Sequence, residues 1–175
     1  EQVKSINVGE TVDNPKMGPV INKKSKDSIL SYIQKGVDEG GTIIAGGKEI
    51  ESKGYFVEPT IIKNVSPKDT IAQEEIFGPV LAVIKSSGFD DSLDIANNTM
   101  FGLTGAVYSK NPKKLERAAD EFHVGNLYMN RKCTGALVGV HPFGGFNMSG
   151  TDSKAGGRDY LQLFTQAKLV SNKIK

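Results

Sequence analysis

Apolar residues recur at helical spacing in the first part of the chain and gather into short runs later. Residues 24–39 carry one apolar stripe at positions i, i+1, i+4 and i+8, formed by Ile29, Leu30, Ile33 and Val37. This spacing predicts a helix. The helix is predicted to stop at Gly40-Gly41, because glycine adopts the left-handed cap without a Cβ penalty. A short strand is predicted at 42–45.

Two further apolar stretches predict strands. Residues 55–65 have β character, and Pro59 within them favours an edge or a bulge because proline lacks a backbone N–H. Residues 80–84 read Val-Leu-Ala-Val-Ile without a polar position. Such an uninterrupted run is typical of a strand that is buried on both faces of a parallel sheet.

From residue 80 onward, predicted strands and helices alternate. A helix over 90–98 has acidic residues in its first turn, and a second helix begins with Asn111 as N-cap and Pro112 behind it and runs to about residue 122. Strands are predicted at 104–108 and 125–129. The alternation with short connections predicts an α/β fold with a parallel sheet, flanking helices and right-handed crossovers.

Residues 131–157 differ from the rest, with seven glycines in 27 positions. A loop of this length after the end of a strand is usually functional, and ligands of open α/β sheets bind at that edge. A short helix is predicted near 158–164, and 166–175 alternate weakly, as an edge strand does.

Composition and charge narrow the function classes. The chain has 175 residues, of which 38% are hydrophobic and 24% charged, so it is one domain or one domain with an appendage, and collagen, coiled coil and general disorder are excluded. The 22 basic and 20 acidic residues show no electrostatic footprint for nucleic acid. The longest apolar run is about eight residues, against roughly 20 for a membrane span.

One cysteine excludes an intrachain disulfide and any multi-thiolate metal site, and fits a reducing compartment such as the cytoplasm. The sequence shows no signal peptide, and because it starts with Glu1 we expect that it either was processed or trimmed or begins inside a longer protein. No GxGxxG or P-loop motif is present, and two histidines with one cysteine match no metal-ligand spacing.

Several residues have side chains or backbone groups that allow both a functional and a purely structural interpretation. Cys133 beside two basic residues is either an activated thiol or a plain loop residue. The pair Glu74-Glu75 with Phe77 either binds a ribose and a flat heterocycle or is a solvated acidic turn with a core aromatic. The run Thr134-Gly135-Ala136 either presents backbone N–H groups to an anion or is a flexible turn. Phe143 either lines an apolar pocket or packs under its own loop.

Several motifs together resemble the C-terminal part of the NAD(P)-dependent aldehyde dehydrogenases, from about Val8 to the end of the chain. They occur in the order EEIFGP (74–79), FGLTGAVYS (101–109), GNLY (125–128) and PFGG (142–145) with Ser149-Gly150. Within that family, NRKCTGA (130–136) and FNMSGTDSKAGG (146–157) resemble the 1-pyrroline-5-carboxylate (glutamate-semialdehyde) dehydrogenases. Arg158 stands where members of that subfamily often have proline.

The resemblance implies a role for each of five residues. Glu75 would bind the nicotinamide-side ribose of NAD or NADP, and Phe77 would pack beside the nicotinamide. Gly135 and Ala136 would offer backbone amides to the substrate carboxylate, and Phe143 would pack on the aliphatic part of the substrate. The implied reaction oxidises glutamate semialdehyde to glutamate in proline degradation.

The resemblance also implies what is absent. In this family the nucleophilic cysteine and the general-base glutamate lie in upstream motifs that the sequence lacks, and Cys133 matches a position in the substrate loop. We therefore expect residues 1–164 to be a partial catalytic domain that is inactive without its N-terminal portion. Residues 165–175 would form a strand that joins subunits of a homo-oligomer. The alternative is a non-catalytic assembly or partner-binding module, while an isolated small-molecule binder is disfavoured because half of each pocket would be missing.

Overall fold

A computed structural model describes residues 1–137, 139–150 and 159–174. The chain divides into two compact units, Glu1–Ser87 and Gly88–Lys175, which are considered separately below. Three predicted features lie partly or wholly outside the described residues. They are the second half (151–157) of the motif at 146–157, Arg158, which stands where the subfamily often has proline, and Lys175 at the end of the predicted strand. Among the described residues, no helix is long and apolar enough to cross a membrane.

The first unit begins with two short 3-10 helices, at Gln2–Ser5 and Thr11–Asp13, and the predicted helix follows them. Helix α1 spans Lys23–Asp38, and the Asn22 side chain caps it by accepting a hydrogen bond of 2.8 Å from the backbone N–H of Ser25. Ile29 and Ile33 of the apolar stripe are buried. Gly40 follows the helix with φ of 104°, in the left-handed region that glycine tolerates. The prediction of this helix and of its end is confirmed.

Five strands and one short helix complete the first unit. They are β1 (Thr42–Ala45), β2 (Glu49–Ile50), β3 (Phe56–Val57), β4 (Thr60–Lys63), α2 (Thr70–Gln73) and β5 (Val80–Val83). The sheet order is β1-β4-β5, with β1 antiparallel and β5 parallel to β4, while β2 and β3 form a separate antiparallel pair. The single β stretch predicted over 55–65 is thus divided at Pro59, which lies between β3 and β4.

The core of the first unit lies between α1 and the sheet. Its buried members are Ile29, Ile33, Val57, Ile62, Val65 and Ile71. Gly36 allows α2 to pack closely on α1, because a Cβ at that position would lie 2.6 Å from Cδ1 of Ile71. A Cβ on Gly78 would likewise lie 2.6 Å from Cδ1 of Ile29. These contacts hold α2, which precedes segment 74–78, and Gly78, which ends it, against α1.

The prediction that β5 is buried on both faces is wrong for the chain by itself. Val80 and Ala82 pack against the core, whereas Leu81 is 56% exposed and Val83 is 40% exposed. Burial alternates because successive side chains of a strand point to opposite faces of the sheet, and the face with Val80 and Ala82 is the one that packs on the core. An apolar run shows that a strand can be covered on both faces, but it does not show what covers it.

The second unit contains α3 (Phe89–Asn97), β6 (Thr104–Val107), α4 (Pro112–Glu121) and β7 (Asn126–Met129). The Asn111 side chain caps α4 through the backbone N–H of Lys113 at 3.0 Å. β6 and β7 are parallel. The predicted order of strands and helices is confirmed, and so is the α/β class. The parallel pairing agrees with the prediction within each unit, because β5 lies parallel to β4 and β6 lies parallel to β7.

The end of the chain is only partly as predicted. A short helix is present, as a 3-10 helix at Tyr160–Phe164. Residues 165–174 form no strand with any described residue, and Leu169 and Ile174 are 92% and 89% exposed. A joining strand requires a second subunit, so the oligomerisation strand stays a prediction.

Candidate functional site

The segment between α2 and β5 presents an aromatic ring to solvent. Phe77 is 84% exposed and has φ of 53°, which places its backbone in the left-handed region. The next residue, Gly78, packs on Ile29 of α1 and holds the segment down. The interpretation of Phe77 as a core aromatic is therefore wrong. Its ring is available to pack on a flat ligand.

The two adjacent glutamates have different environments. The Tyr32 hydroxyl donates a hydrogen bond of 2.7 Å to Oε2 of Glu74. This bond to a carboxylate, with partial burial, raises the pKa of Tyr32 above its ordinary value of 10.0. Glu75 forms no hydrogen bond or ion pair with any residue that the structure describes. One carboxylate of the pair is engaged by α1, and the other can accept bonds from a ligand.

Glu75 and Phe77 lie between two shallow pockets on the first unit. One pocket is bounded by Ile71 and Val80, and the other by residues in the first ten positions of α1, including Ser25 and Tyr32. A carboxylate that accepts two hydroxyls and a ring that covers a heterocycle are thus placed two residues apart on one surface. This combination fits the nicotinamide and ribose of a dinucleotide.

The second unit carries the other candidate residues on the loop after β7. β7 ends at Met129, and the next residue, Asn130, has φ of 54°. Its side chain donates to the Ser109 carbonyl at 3.0 Å and accepts from the Ser109 N–H at 2.9 Å. Asparagine tolerates the left-handed region better than most residues. These two bonds fix the point where the loop leaves the sheet.

The loop then turns sharply at Gly135, where φ is 101°. Arg131 donates a hydrogen bond of 2.9 Å from Nη2 to the Thr134 carbonyl. The backbone N–H groups of Gly135 and Ala136 donate to no acceptor in the described part of the chain. Two consecutive unengaged donors are what an anion-binding turn requires, and a flexible solvated turn leaves its donors unengaged as well, so both interpretations stay open.

Phe143 belongs to a turn that is tied to the start of β7. Asn126 donates from Nδ2 to the Pro142 carbonyl at 3.2 Å, and the Gly144 carbonyl lies against Gly125, where a Cβ could not fit. Farther along, the Phe146 N–H donates to the Gly102 carbonyl at 3.0 Å. Phe143 itself is half-buried, which is compatible with both of its interpretations.

Cys133 is exposed and has no base beside it. His141 accepts a hydrogen bond of 3.2 Å from the Leu137 N–H, and His123 stacks on Phe146 with ring centroids 5.4 Å apart. Neither histidine contacts the thiol, so the arrangement favours a plain loop residue. Across the described ranges, no three metal-ligating side chains come together.

Three participants were not predicted from the sequence, namely Tyr32, Asn130 and Arg131. Asparagine immediately after a strand is a signal for a left-handed turn and could have identified Asn130. The bond between Tyr32 and Glu74 spans 42 positions, and no local pattern indicates it.

The comparisons with known proteins agree on one family. The model of the aldehyde dehydrogenase family matches residues 1–170. The chain is 61% identical over 155 residues to 1-pyrroline-5-carboxylate dehydrogenase 2 of Bacillus subtilis, which covers 89% of this chain and 30% of that protein. It is 56% identical over 172 residues to the 1-pyrroline-5-carboxylate dehydrogenase of Geobacillus thermodenitrificans, covering 98% of this chain and 33% of that protein.

Solved structures show the same fold. The NAD-bound 1-pyrroline-5-carboxylate dehydrogenase from Thermus superposes with a TM-score of 0.90 at 53% identity, over 93% of this chain and 31% of that one. The NAD+ complex of an aldehyde dehydrogenase from Bacillus cereus gives a TM-score of 0.90 at 33% identity, over 99% of this chain and 35% of that one. The chain spans about a third of the length of each of these four proteins.

Proposed function

The chain belongs to the aldehyde dehydrogenase family, and from this premise we propose that it is the C-terminal part of an enzyme that oxidises glutamate semialdehyde to glutamate. The observation that carries the proposal is the pair of unengaged backbone donors at Gly135 and Ala136. A carboxylate is the group that two adjacent N–H donors bind well. The similarity to several 1-pyrroline-5-carboxylate dehydrogenases supports the same substrate.

This chain holds the carboxylate end and the aliphatic part of the substrate. Gly135 and Ala136 donate to its carboxylate, and Phe143 packs against its methylene groups, which stabilises by burial of apolar surface. Holding the carboxylate end fixes the distance to the aldehyde, because only a short saturated chain lies between them. The loop therefore selects aldehydes that carry a carboxylate at the matching distance.

The cofactor is NAD or NADP, which supplies a hydride acceptor when bound. Glu75 accepts hydrogen bonds from the nicotinamide-side ribose hydroxyls, and Phe77 packs beside the nicotinamide ring. The exposed ring and the unengaged carboxylate of this chain fit that task. Their effect is to orient the cofactor.

The reacting groups are expected elsewhere. We place the nucleophilic cysteine and the general base in an N-terminal portion that makes up the other two-thirds of the enzyme. This chain alone is then inactive. We also propose that residues 165–175 join subunits of a homo-oligomer and that the enzyme works in the cytoplasm.

The test compares this chain alone with the complete enzyme that contains it, using glutamate semialdehyde and NAD. The complete enzyme should turn over and the chain alone should not. In the complete enzyme, Glu75→Gln should raise KM for NAD about tenfold, since a charged acceptor is lost. Glu74→Gln is the matched control, because Tyr32 already engages that side chain. Turnover by the chain alone that Cys133→Ser abolishes would contradict the proposal, as would unchanged kinetics in Glu75→Gln.

A non-catalytic assembly module is the second candidate. The observation in its favour is the exposed apolar tail, where Leu169, Val170 and Ile174 are 92%, 76% and 89% exposed. Absence of dehydrogenase activity in the complete protein, together with loss of oligomers in a variant truncated after residue 164, would favour this candidate.

A further inference from the structure

We propose that Arg131 is a positioning residue that sets the direction of the Gly135 N–H through the peptide bond between Thr134 and Gly135. The inference rests on the proposed function in one respect, that this N–H binds a substrate carboxylate. The substrate class that Arg131 serves is therefore an aldehyde carrying a carboxylate.

The first step is the geometry of the peptide group. The Thr134 carbonyl and the Gly135 N–H belong to the same peptide unit, which is planar and trans, so the two groups point in opposite directions. Nη2 of Arg131 donates to that carbonyl at 2.9 Å. Fixing the carbonyl on one side therefore fixes the N–H on the other.

The second step is the anchoring of Arg131 itself. Its guanidinium lies 5.4 Å from the ring centroid of Tyr128, a half-buried residue of β7. Cation–π contact of this kind orients the planar guanidinium. Asn130, bonded on both sides to Ser109, fixes the backbone from which the arginine extends. The Arg131 guanidinium is thus held between Tyr128 of β7 and the turn at Gly135.

The third step is the fit between Arg131 and Gly135. A Cβ at position 135 would lie 2.9 Å from Nη2 of Arg131. The guanidinium therefore occupies the space that a side chain at 135 would need, and the positive φ excludes most other residues there. A cationic donor on the carbonyl also polarises the peptide, which strengthens the N–H as a donor.

The experiment uses the complete enzyme that contains this chain, with two aldehydes. Glutamate semialdehyde has the carboxylate, and butanal lacks it. Arg131→Met keeps the aliphatic stem and removes the donor, while Arg131→Lys keeps a charge and a donor. Lys132→Met is the matched control, because it removes the same charge one position along and its side chain has no hydrogen bond among the described residues.

We expect Arg131→Met to raise KM for glutamate semialdehyde about tenfold, with kcat within twofold and KM for butanal and for NAD unchanged. Arg131→Lys should recover most of the loss, and Lys132→Met should match the wild type. An equal rise in KM for both aldehydes would show a merely structural role and overturn the proposal. An equal effect of Lys132→Met would attribute the loss to net charge and would overturn it as well.

A crystal structure of the complete Arg131→Met enzyme without substrate provides a second readout. We expect the peptide between Thr134 and Gly135 to have rotated, and an unchanged peptide orientation would overturn the proposal. This result does not depend on the identity of the substrate. If the wild-type enzyme shows no preference for glutamate semialdehyde over butanal, the proposed function fails, and the peptide orientation still decides the role of Arg131.

Discussion

Substitutions of Phe77 test whether its left-handed backbone conformation destabilises the fold. The residue has φ of 53°, and its side chain is 84% exposed. At an ordinary exposed position alanine is more stabilising than glycine, because glycine loses more conformational freedom on folding. At Phe77 we expect the opposite order, with Phe77→Gly more stable than Phe77→Ala.

The magnitude follows from two opposing contributions. Left-handed backbone costs a residue with a Cβ about 1–2 kcal/mol, and glycine is free of this cost. Glycine in turn loses about 0.4–1 kcal/mol through the entropy of the unfolded chain. Loss of the ring costs roughly 0.2–0.5 kcal/mol, because only about a sixth of Phe77 is covered, but both variants bear this cost and it cancels in the comparison. Phe77→Gly should therefore exceed Phe77→Ala by about 1 kcal/mol.

Urea unfolding of the chain measures this difference. With a slope near 2 kcal/mol per molar urea, 1 kcal/mol moves the midpoint by about 0.5 M. The matched control is Ser28, an exposed residue in the middle of α1, where alanine should be more stable than glycine by about 1 kcal/mol. A Phe77→Ala variant as stable as Phe77→Gly would refute the reasoning. In the complete enzyme both variants should weaken NAD binding alike, since both lack the ring.

Two further predictions concern single contacts. Gly125→Ala places a Cβ against the Gly144 carbonyl, so it should lower the free energy of unfolding by about 2 kcal/mol. Gly88→Ala is the control, because nothing lies within 4 Å of the added atom, and it should change the free energy of unfolding by less than about 0.5 kcal/mol. Urea unfolding compares the two variants. The raised pKa of Tyr32 means that its bond to Glu74 stabilises fully below pH 10 and is lost as the phenol ionises above that. Tyr32→Phe should remove a component that titrates above pH 10 from the phenolate absorbance titration, and an unchanged titration would contradict this assignment.

Helix boundaries were predictable because local chemistry determines them. The Asn111-Pro112 pair and the glycines after α1 act within a few residues, and both helices start or stop where those residues lie. Strand pairing was not predictable in the same way. The run at 80–84 identified β5 as a strand, but periodicity carries no information about which strand lies beside it, so its parallel pairing with β4 was not predicted.

In the candidate site, too, local sequence predicted some features and contacts between elements determined the others. The identity of the five residues came from a resemblance in sequence motifs, and their assigned roles stay proposals. The structure adds the contacts around them, such as the bond from Tyr32 to Glu74 and the contact of Arg131 with Tyr128. These contacts join different elements or depend on side-chain direction, which the order of residues alone does not determine.

Both candidate sites depend on left-handed backbone, and the choice of residue at each position is informative. At Asn130 and Gly135 the chain uses residue types that tolerate positive φ, so the turn can be a requirement of folding alone. At Phe77 the chain uses a large aromatic residue, which gains little burial and bears the full steric cost. Glycine would form the same turn with less strain. A strained aromatic residue that gains little burial supports the proposal that Phe77 packs on a ligand, and this support does not depend on similarity to known dehydrogenases.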